Sequence, residues 1–346
     1  MISSLAQTGP IARASTVRLQ AELVRAQQEL ASGRHYDIGR SIGARAITVS
    51  SIQGRISDGQ AIIDGNKIAT ARLSASGAAL ESMMGIAQSM QQKLIDAGSG
   101  TTDAKTLQEA GASALSQTIA IANTAFDGVY LFAGLNDGAK PLNDYLPGSA
   151  SGPSGRLIQV FHGGLGGQPG DQGNAAIAAS EMQSFLETTF AQMFEPDQWK
   201  EYWSRASDIG AEVRVSENAS LRYPAAGNSV ALREVVKSLT MVAGLGLPTL
   251  NADAQRVVID QASTILGNAL GAFSALTAQV GIGQNRIEAA SQDLSLQQVQ
   301  LTTRLNDLES VDPAEVAARI STLSDQLQAS YQVTAKLAHL SLVNYI

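Results

Sequence analysis

Near the start of the chain, apolar residues recur at alternating steps of four and three positions. Leu19, Leu23, Ala26 and Leu30 follow this spacing, and residues 20–31 contain nothing that breaks a helix. The spacing is typical of a coiled-coil seam rather than of a globular helix face with its 3.6-residue period. We therefore predict a helix that packs lengthwise along a partner helix.

The same spacing returns at the other end of the chain. A helix is predicted to begin at Pro313, because proline is favoured in the first turn. Its seam positions are Val316, Ile320, Leu323, Leu327, Ser330, Thr334 and Leu337. The two ends are expected to pair, and the predicted assembly seam consists of Leu19, Leu23, Leu30, Ile320, Leu323, Leu327 and Leu337.

An isolated N-terminal helix is expected to be marginal in water. Burying one Leu or Ile contributes on the order of 1.5–3 kcal/mol, whereas ordering the backbone costs roughly 1–2 kcal/mol per residue. The helix therefore needs a partner, either residues 313–346 of its own chain or helices of neighbouring chains. We expect the ends to be mobile in the monomer and to become ordered on assembly.

Between the ends, the same pattern predicts further long helices. Seams in residues 52–87 and 107–125 indicate a helical hairpin. Later helical stretches cover residues 230–242, 253–280 and 287–308. Residues 32–44 contain three glycines and are predicted to form a loop or a bent connection.

Residues 137–227 follow a different pattern. Glycine and proline are frequent in their first half, which excludes long helices there. We predict a strand at Arg156–Phe161, a helix over residues 175–194 and two short strands within Ala211–Tyr223. Most aromatic residues lie between Phe126 and Trp203, including a short predicted strand at Val129–Phe132. This region is therefore expected to have an aromatic-centred core.

Together these patterns predict a mainly α protein with a small α+β insert. The paired N- and C-terminal segments would form a long antiparallel helical coiled coil or bundle, and the β-containing insert would be an outer domain. The predicted domains are terminal helices at residues 1–44 plus 305–346, a helical bundle at 45–136 plus 228–304, and an inserted domain at 137–227.

Composition narrows the classes of function. The 346 residues carry a net charge of −7 with no basic cluster, which argues against nucleic acid or an anionic membrane as the main partner. The absence of cysteine excludes disulfides, thiolate nucleophiles and cysteine-ligated metals. The sequence contains no run of about 18 apolar residues, so no transmembrane helix is predicted. The first ten residues lack the features of a secretory signal, so an exported chain is expected to use another route.

Residue types that carry catalysis are sparse. The histidines are far apart in sequence, so no metal site is expected; they are His35, His162 and His339. Two carboxylate pairs are predicted to be solvated helix faces or helix caps rather than acid–base pairs. They are Asp307 with Glu309 and Asp312 with Glu315. Gly163–Gly167 lacks the Gly-Lys-Ser/Thr that completes a phosphate-binding loop. We predict no enzyme activity, no metal and no cofactor.

Three stretches resemble the bacterial flagellin superfamily. Residues 30–34, Leu-Ala-Ser-Gly-Arg, precede a long predicted helix as in flagellin N-terminal regions, with Tyr36–Gly39 in place of the family's usual Ser-Asp-Asp. Residues 122–134, Ala-Asn-Thr-Ala-Phe-Asp-Gly-Val-Tyr-Leu-Phe-Ala-Gly, are similar to a stretch common in the hook-associated branch. Residues 308–346 resemble the same branch and end in Tyr-Ile, whereas filament flagellins more often end in a Leu-Leu-type tail.

The resemblance implies a structural protein of the bacterial flagellum, secreted to the cell exterior by the flagellar type III export apparatus through an uncleaved N-terminal signal. It implies an inner tube of residues 1–44 and 305–346, a middle layer of 45–136 and 228–304, and an outward-facing insert. It also implies a homo-oligomeric ring at the junction of hook and filament. Its neighbours would be hook-associated protein 1 and flagellin, and an export chaperone is expected.

Two other functions stay open at this stage. The first is a flagellin that polymerises into the filament itself, which would form long filaments from purified protein alone. The second is a carbohydrate- or surface-binding module in which Trp199, Tyr202 and Trp203 stack against a sugar ring. The alternative role for these three aromatic residues is to nucleate the core of the insert.

Overall fold

The computed structural model describes the backbone of residues 2–43, 45–224 and 226–343, and the side chains of residues 13–40, 43, 45–224 and 226–336. Over these residues the chain is mainly α-helical with two small antiparallel sheets, which confirms the predicted fold class. The helices are α1 (Ile2–Ser32), α2 (Ile38–Ile42), α3 (Arg45–Gly98), α4 (Ala104–Ala122), α5 (Gly152–Leu165), α6 (Ala179–Phe185), α7 (Pro196–Gln198), α8 (Val230–Gly244), α9 (Ala252–Glu309) and α10 (Pro313–Val343). The strands are β1 (Ala125–Phe126), β2 (Val129–Tyr130), β3 (Glu212–Arg214) and β4 (Ser220–Arg222).

The protein divides into two compact units. Unit 1 contains Met1–Gln60 and Leu294–Ile346, and unit 2 contains Ala61–Asp293. The helices α3 and α9 contribute residues to both units. The division into three domains that the sequence suggests stays a prediction.

In unit 1, α1 and α10 run antiparallel. Thr16 in the first half of α1 hydrogen-bonds Ser330 in the second half of α10, and Glu29 near the end of α1 pairs with Arg319 near the start of α10. The α10 helix begins at Pro313, as predicted, and Asp312 Oδ1 accepts a hydrogen bond from the backbone N–H of Ala314 (2.8 Å). The predicted connection at residues 32–44 contains the short helix α2.

In unit 2, α3 and α9 also lie side by side in opposite directions. Gln91 Nε2 donates to Ser263 Oγ (2.7 Å), and Gln284 Nε2 donates to Ser74 Oγ (3.0 Å). The α4 helix begins after Asp103, whose carboxylate accepts hydrogen bonds from two backbone N–H groups of the first turn. It approaches α8 closely at Gly111, where a Cβ atom would lie 2.7 Å from Val242 Cγ1.

The predicted strand at Arg156–Phe161 is wrong, because these residues belong to α5. Pro153 occupies the first turn of this helix, a position that proline favours. Leu157, Val160 and Phe161 are buried, and their spacing of three and four residues is that of one helix face. The apolar run is too short for its spacing to distinguish a helix from a strand. The two predicted strands within Ala211–Tyr223 are confirmed as β3 and β4, which pair in an antiparallel hairpin.

The sequence analysis predicts no membrane-spanning helix, but one of the described helices, α9, meets the length and composition criteria for one. An 18-residue window of α9 is apolar enough to cross a membrane by length and composition, and 33% of that window is buried. The core helices of folded proteins have the same composition. In unit 2, α9 contributes Ala262, Leu266 and Phe273 to the hydrophobic core, each with no exposed surface.

Candidate assembly site at the paired terminal helices

The contact between α1 and α10 is built from the two heptad seams. Its buried centre consists of Ala26, Val316 and Leu323, and partly exposed residues pack around it: Leu19, Leu23, Val311 and Ile320. Further along, the hydroxyls of Thr16 and Ser330 are 2.8 Å apart. Four of the seven predicted seam residues therefore lie together, on two helices that are almost 300 positions apart in sequence: Leu19, Leu23, Ile320 and Leu323.

The other three predicted seam residues lie outside this cluster. Leu30 is 42% exposed, because the neighbouring Glu29 takes the buried position in the last turn of α1. Leu327 is half-buried one turn beyond Leu323. Leu337 belongs to α10, but its side chain lies outside the described residues. The seam is thus shorter than the sequence pattern suggests, over the part of the helices whose side chains are described.

A second apolar face on α1 is not among the sequence predictions. Val17 and Val24 are 64% and 52% exposed, and Ala14, Ala21 and Ala31 are exposed alongside them. At about 100° per residue, these positions lie on the opposite side of the helix from Leu19 and Leu23. Only the seven-residue spacing of the two valines signals this face in the sequence. The described part of α1 is therefore apolar on two sides, and α10 covers one of them.

Two helix ends meet beside this contact. The α1 helix ends at Ser32 and α9 ends at Glu309, and the segments that follow them pair through their backbones. His35 N donates to the carbonyl of Glu309 (2.9 Å), and Val311 N donates to the carbonyl of Gly33 (3.1 Å). Gly33 has a φ of +69°, a conformation that residues with a side chain rarely adopt. The glycine of the Leu-Ala-Ser-Gly-Arg segment is therefore required by this turn.

Glu29 is a buried carboxylate at the end of α1, with 6% of its surface exposed. Its Oε2 lies 3.3 Å from Arg319 Nη1 on α10. Its Oε1 accepts a hydrogen bond from the backbone N–H of Tyr36 (3.0 Å). One side chain thus connects α1, α10 and the segment that follows α1.

Glu309 is a second buried carboxylate, with 2% of its surface exposed. Its Oε2 lies 3.2 Å from Arg34 Nη1, and its Oε1 accepts a hydrogen bond from Gln53 Nε2 on α3 (3.2 Å). Arg34 also donates to Asn306 Oδ1 (3.1 Å). The prediction of a solvated Glu309 is wrong, because the end of α9 turns this residue onto the segment that follows α1.

Two polar groups in unit 1, linked through the backbone of residues 34–36, are together termed the helical joint. Its residues are Glu29, Arg34, Gln53, Glu309 and Arg319. Its two arginines are about half exposed, whereas its carboxylates are desolvated. Ion pairs of this kind add little net stability, but an unpaired buried carboxylate is costly. The helical joint also explains the arginine of the Leu-Ala-Ser-Gly-Arg segment, since Arg34 neutralises Glu309. The remaining carboxylates follow the prediction: Asp312 caps α10, while Asp307 and Glu315 are exposed.

The stretch at residues 122–134 forms a corner in unit 2. Strands β1 and β2 pair across a turn in which Asp127 and Gly128 both have positive φ, as a tight hairpin requires. Asn123 holds the corner to the backbone of Leu142, since Nδ2 donates to its carbonyl and Oδ1 accepts from its N–H. Phe132 is buried, and a Cβ on Gly134 would lie 2.6 Å from the carbonyl oxygen of Ser207. This stretch positions the chain where it leaves the helices.

The aromatic cluster of the insert lies inside unit 2. Trp199 and Trp203 have no exposed surface and stack with their ring centroids 5.6 Å apart. Tyr145 stacks on the other side of Trp203 at 5.9 Å, and burial raises the pKa of its hydroxyl to about 12. The two tryptophans offer no face to a sugar, so the platform hypothesis is wrong for them and their role is to build the core. Tyr202 is half-buried, and the Arg156 guanidinium lies over its ring at 5.2 Å from the centroid.

No other predicted candidate forms a chemical site over the described residues. His162 lies on α5 rather than on a strand and is exposed, and His35 is half-buried in unit 1. The side chain of His339 falls outside the described residues. Gly163–Gly167 forms the end of α5, with Gly166 as its left-handed cap. Over the same residues, no group of three or more His, Asp or Glu side chains is placed to hold a metal ion.

A groove of about 540 Å³ lies between α3 and α4 in unit 2. Small side chains line much of it: Ser82, Gly85, Ser89, Ala110 and Ser113. Lys93 is the charged residue in its lining, so it offers no pair of groups for acid–base chemistry.

Comparisons with known proteins agree with this architecture. Residues 5–137 match the family model described as the bacterial flagellin N-terminal helical region, and residues 263–346 match the bacterial flagellin C-terminal helical region. No curated protein matches the chain. The two family models together cover more than half of the sequence.

Two solved structures share a more distant similarity. Bacillus cereus FlgL has 15% identity and a TM-score of 0.45, over 75% of this chain and 98% of that one. A protein described as a flagellar hook-associated protein from Vibrio parahaemolyticus has 12% identity and a TM-score of 0.36, over 86% of this chain and 97% of that one. The family matches carry the assignment: the chain belongs to the bacterial flagellin family and is a structural protein of the flagellum.

Proposed function

We propose that this protein forms the junction between the flagellar hook and the filament, the role of hook-associated protein 3. The observation that carries this proposal is the corner at residues 122–134, whose sequence is similar to the hook-associated branch. Its distinctive residues are engaged in specific contacts, which include the two hydrogen bonds of Asn123, the buried Phe132 and the close approach at Gly134. The similarity of residues 308–346 to the same branch supports it as well.

In this proposal, the terminal helices are the parts that assemble. Leu19, Leu23, Ile320 and Leu323 hold α1 to α10, and the exposed Val17 and Val24 leave a second face of α1 for a neighbouring subunit. Assembly would produce a homo-oligomeric ring, with residues 1–44 and 305–346 in an inner tube. Residues 45–136 and 228–304 would form the layer around it, and 137–227 would face outward.

The expected neighbours follow from the position of a junction. Hook-associated protein 1 would bind on the hook side and flagellin on the filament side. An export chaperone would deliver the chain to the flagellar type III apparatus, which would secrete it to the cell exterior. A chain without cysteine suits this route, because it cannot form disulfides on the way.

Deleting the gene in its host and imaging the cells by electron microscopy tests the proposal. A junction protein is expected to leave bare hooks, with full-length flagellin lost to the medium, and the intact gene on a plasmid should restore filaments. Cells that lose one filament type while other hooks still bear filaments would contradict the junction role and support a filament flagellin. Normal filaments on every hook would also contradict it.

A filament flagellin is the second candidate, because the matching family models describe flagellin N- and C-terminal regions. The purified protein separates the two roles. A flagellin is expected to polymerise alone into long filaments under salting-out conditions, whereas a junction protein is expected to stop at small oligomers. Sedimentation and negative-stain microscopy of the same sample distinguish these outcomes.

A further inference from the structure

The seam between α1 and α10 specifies its own register weakly. Over the described side chains its buried centre is three residues, of which Ala26 is small. Thr16 contacts Ser330 through hydroxyls that other positions can supply, and the hydrogen bond from Gln20 to Tyr331 (2.6 Å) is exposed to solvent. Sliding α1 along α10 by one turn would bring Thr16 to the level of Thr334, and a threonine hydroxyl makes the same hydrogen bond as a serine hydroxyl. A 4-3 pattern also keeps a similar face toward its partner after such a slip.

The helical joint does not tolerate the same slip. One turn of helix is about 5.4 Å long, far more than the 3.3 Å that separates Glu29 from Arg319. Glu309 is the last residue of α9, and it pairs with Arg34 in the segment that follows α1. A shift of α1 along its neighbours therefore breaks both ion pairs, along with the backbone hydrogen bonds between residues 33–35 and 309–311.

We propose that the helical joint fixes the register in which α1 packs against α10. Its two ion pairs favour the native register over a slipped one, because the slipped arrangement leaves two buried carboxylates without a partner. Single buried polar residues select the register of coiled coils in the same way. This inference concerns the internal packing of unit 1 and does not depend on the position of the protein in the flagellum.

A disulfide competition in the full-length chain measures the register directly, since the natural chain contains no cysteine. The reporter chain carries Thr16→Cys, Ser330→Cys and Thr334→Cys. The hydroxyls of Thr16 and Ser330 are 2.8 Å apart, a geometry that a disulfide can replace. After mild oxidation at equilibrium, peptide mass spectrometry gives the ratio of the slipped disulfide (16–334) to the native disulfide (16–330).

In the reporter chain, the native disulfide is expected to dominate. Adding Glu29→Gln and Glu309→Gln removes both buried charges, and the ratio of slipped to native disulfide should rise about tenfold or more. Glu22→Gln is the matched control, since Glu22 lies on the same helix in an exposed ion pair with Arg18 (3.5 Å). This control should leave the ratio unchanged.

A second variant separates register from stability. Glu29→Met with Arg319→Leu replaces one ion pair by apolar side chains, and Glu309→Met with Arg34→Leu in the same chain replaces the other. Such replacements often preserve the stability of a fold. The proposal is supported if the Met/Leu variant stays helical by circular dichroism and its slipped disulfide is still increased. This holds even if the double glutamine variant loses the pairing of α1 with α10. The proposal is overturned if the Met/Leu variant keeps only the native disulfide or loses the helix pair. Equal amounts of both disulfides in the reporter chain without further changes overturn it as well.

Discussion

Unit 2 and the contact between α1 and α10 in unit 1 are both helical, but they bury apolar residues to very different extents. The core of unit 2 is one continuous cluster that includes Phe161, Trp199, Trp203 and Phe273, each with no exposed surface. Over the described side chains, the α1–α10 contact has three buried residues and four partly exposed ones. Burial of apolar surface is the main source of folding stability, so most of it resides in unit 2.

The difference separates two tasks within one chain. A helix pair with a thin core and a second exposed apolar face gains most when another surface covers it. A unit with a closed aromatic core gains little from such a neighbour. Substitutions in unit 2 should therefore change the stability of the monomer, whereas substitutions in the terminal seam should change assembly.

The largest expected effect is the loss of assembly in Leu23→Asp. This residue packs against the buried centre of the α1–α10 contact, and a carboxylate there would be desolvated without a partner. The variant should fail to incorporate into flagella, while the unfolding transition of unit 2 stays unchanged. Complementation of the deletion strain and electron microscopy measure the first result, and thermal denaturation of the purified chain measures the second.

Gln27→Asp is the matched control for this substitution. Gln27 is exposed on α1, and its change to aspartate introduces the same charge. It should support filament growth. If Leu23→Asp also supports filament growth, the seam is not the assembly element.

The second effect is a loss of monomer stability in Trp203→Ala. Trp203 is fully buried between Tyr145 and Trp199, and removing a side chain of this size from a core costs about 3–5 kcal/mol. Urea denaturation should show the loss. The control Leu146→Ala changes a side chain that is 63% exposed, and it should stay within about 0.5 kcal/mol of the parent. Equal effects of the two variants would contradict the placement of the aromatic core.

The sequence predicts the fold well where local signals determine the structure. Pro313 begins α10, and two strands form within residues 211–223, both as predicted. The strand prediction at residues 156–161 fails because a pattern of six apolar and polar residues is compatible with either a strand or a helix. Contacts that are distant in sequence decide the outcome there, such as the edge-on contact between Phe161 and Phe185 (5.7 Å).

The candidate site divides in the same way. Periodicity alone identifies Leu19, Leu23, Ile320 and Leu323, because a seam is a local pattern. It does not identify the helical joint, whose partners Arg34 and Glu309 are 275 positions apart. A charged residue near a helix end is usually solvated, and nothing beside Glu309 in the sequence indicates that it is buried.

The smallest expected effect concerns a surface contact of the aromatic core. Asp208 accepts hydrogen bonds from Lys200 and from Asn228 Nδ2 (2.7 Å), and these contacts lower the pKa of its carboxyl below the ordinary value of 3.8. Asn228 Oδ1 in turn accepts from Trp199 Nε1 (3.0 Å). Asp208 therefore helps to orient the residue that satisfies a buried indole.

A carboxyl whose pKa is lower in the folded state stabilises the fold above its unfolded pKa, and the stabilisation is lost as the pH falls through the folded pKa. Asp208→Asn should therefore reduce the stability of unit 2 at neutral pH and have a vanishing effect at a pH below the lowered pKa of Asp208. The side chains of Asp208 and Lys200 are about half exposed, so solvent limits the loss to about 0.2–1 kcal/mol. Urea denaturation at both pH values measures it, with Asp197→Asn on the exposed surface as the control. A loss that persists unchanged at low pH would show that the hydrogen-bond geometry, rather than the charge of Asp208, supports the core.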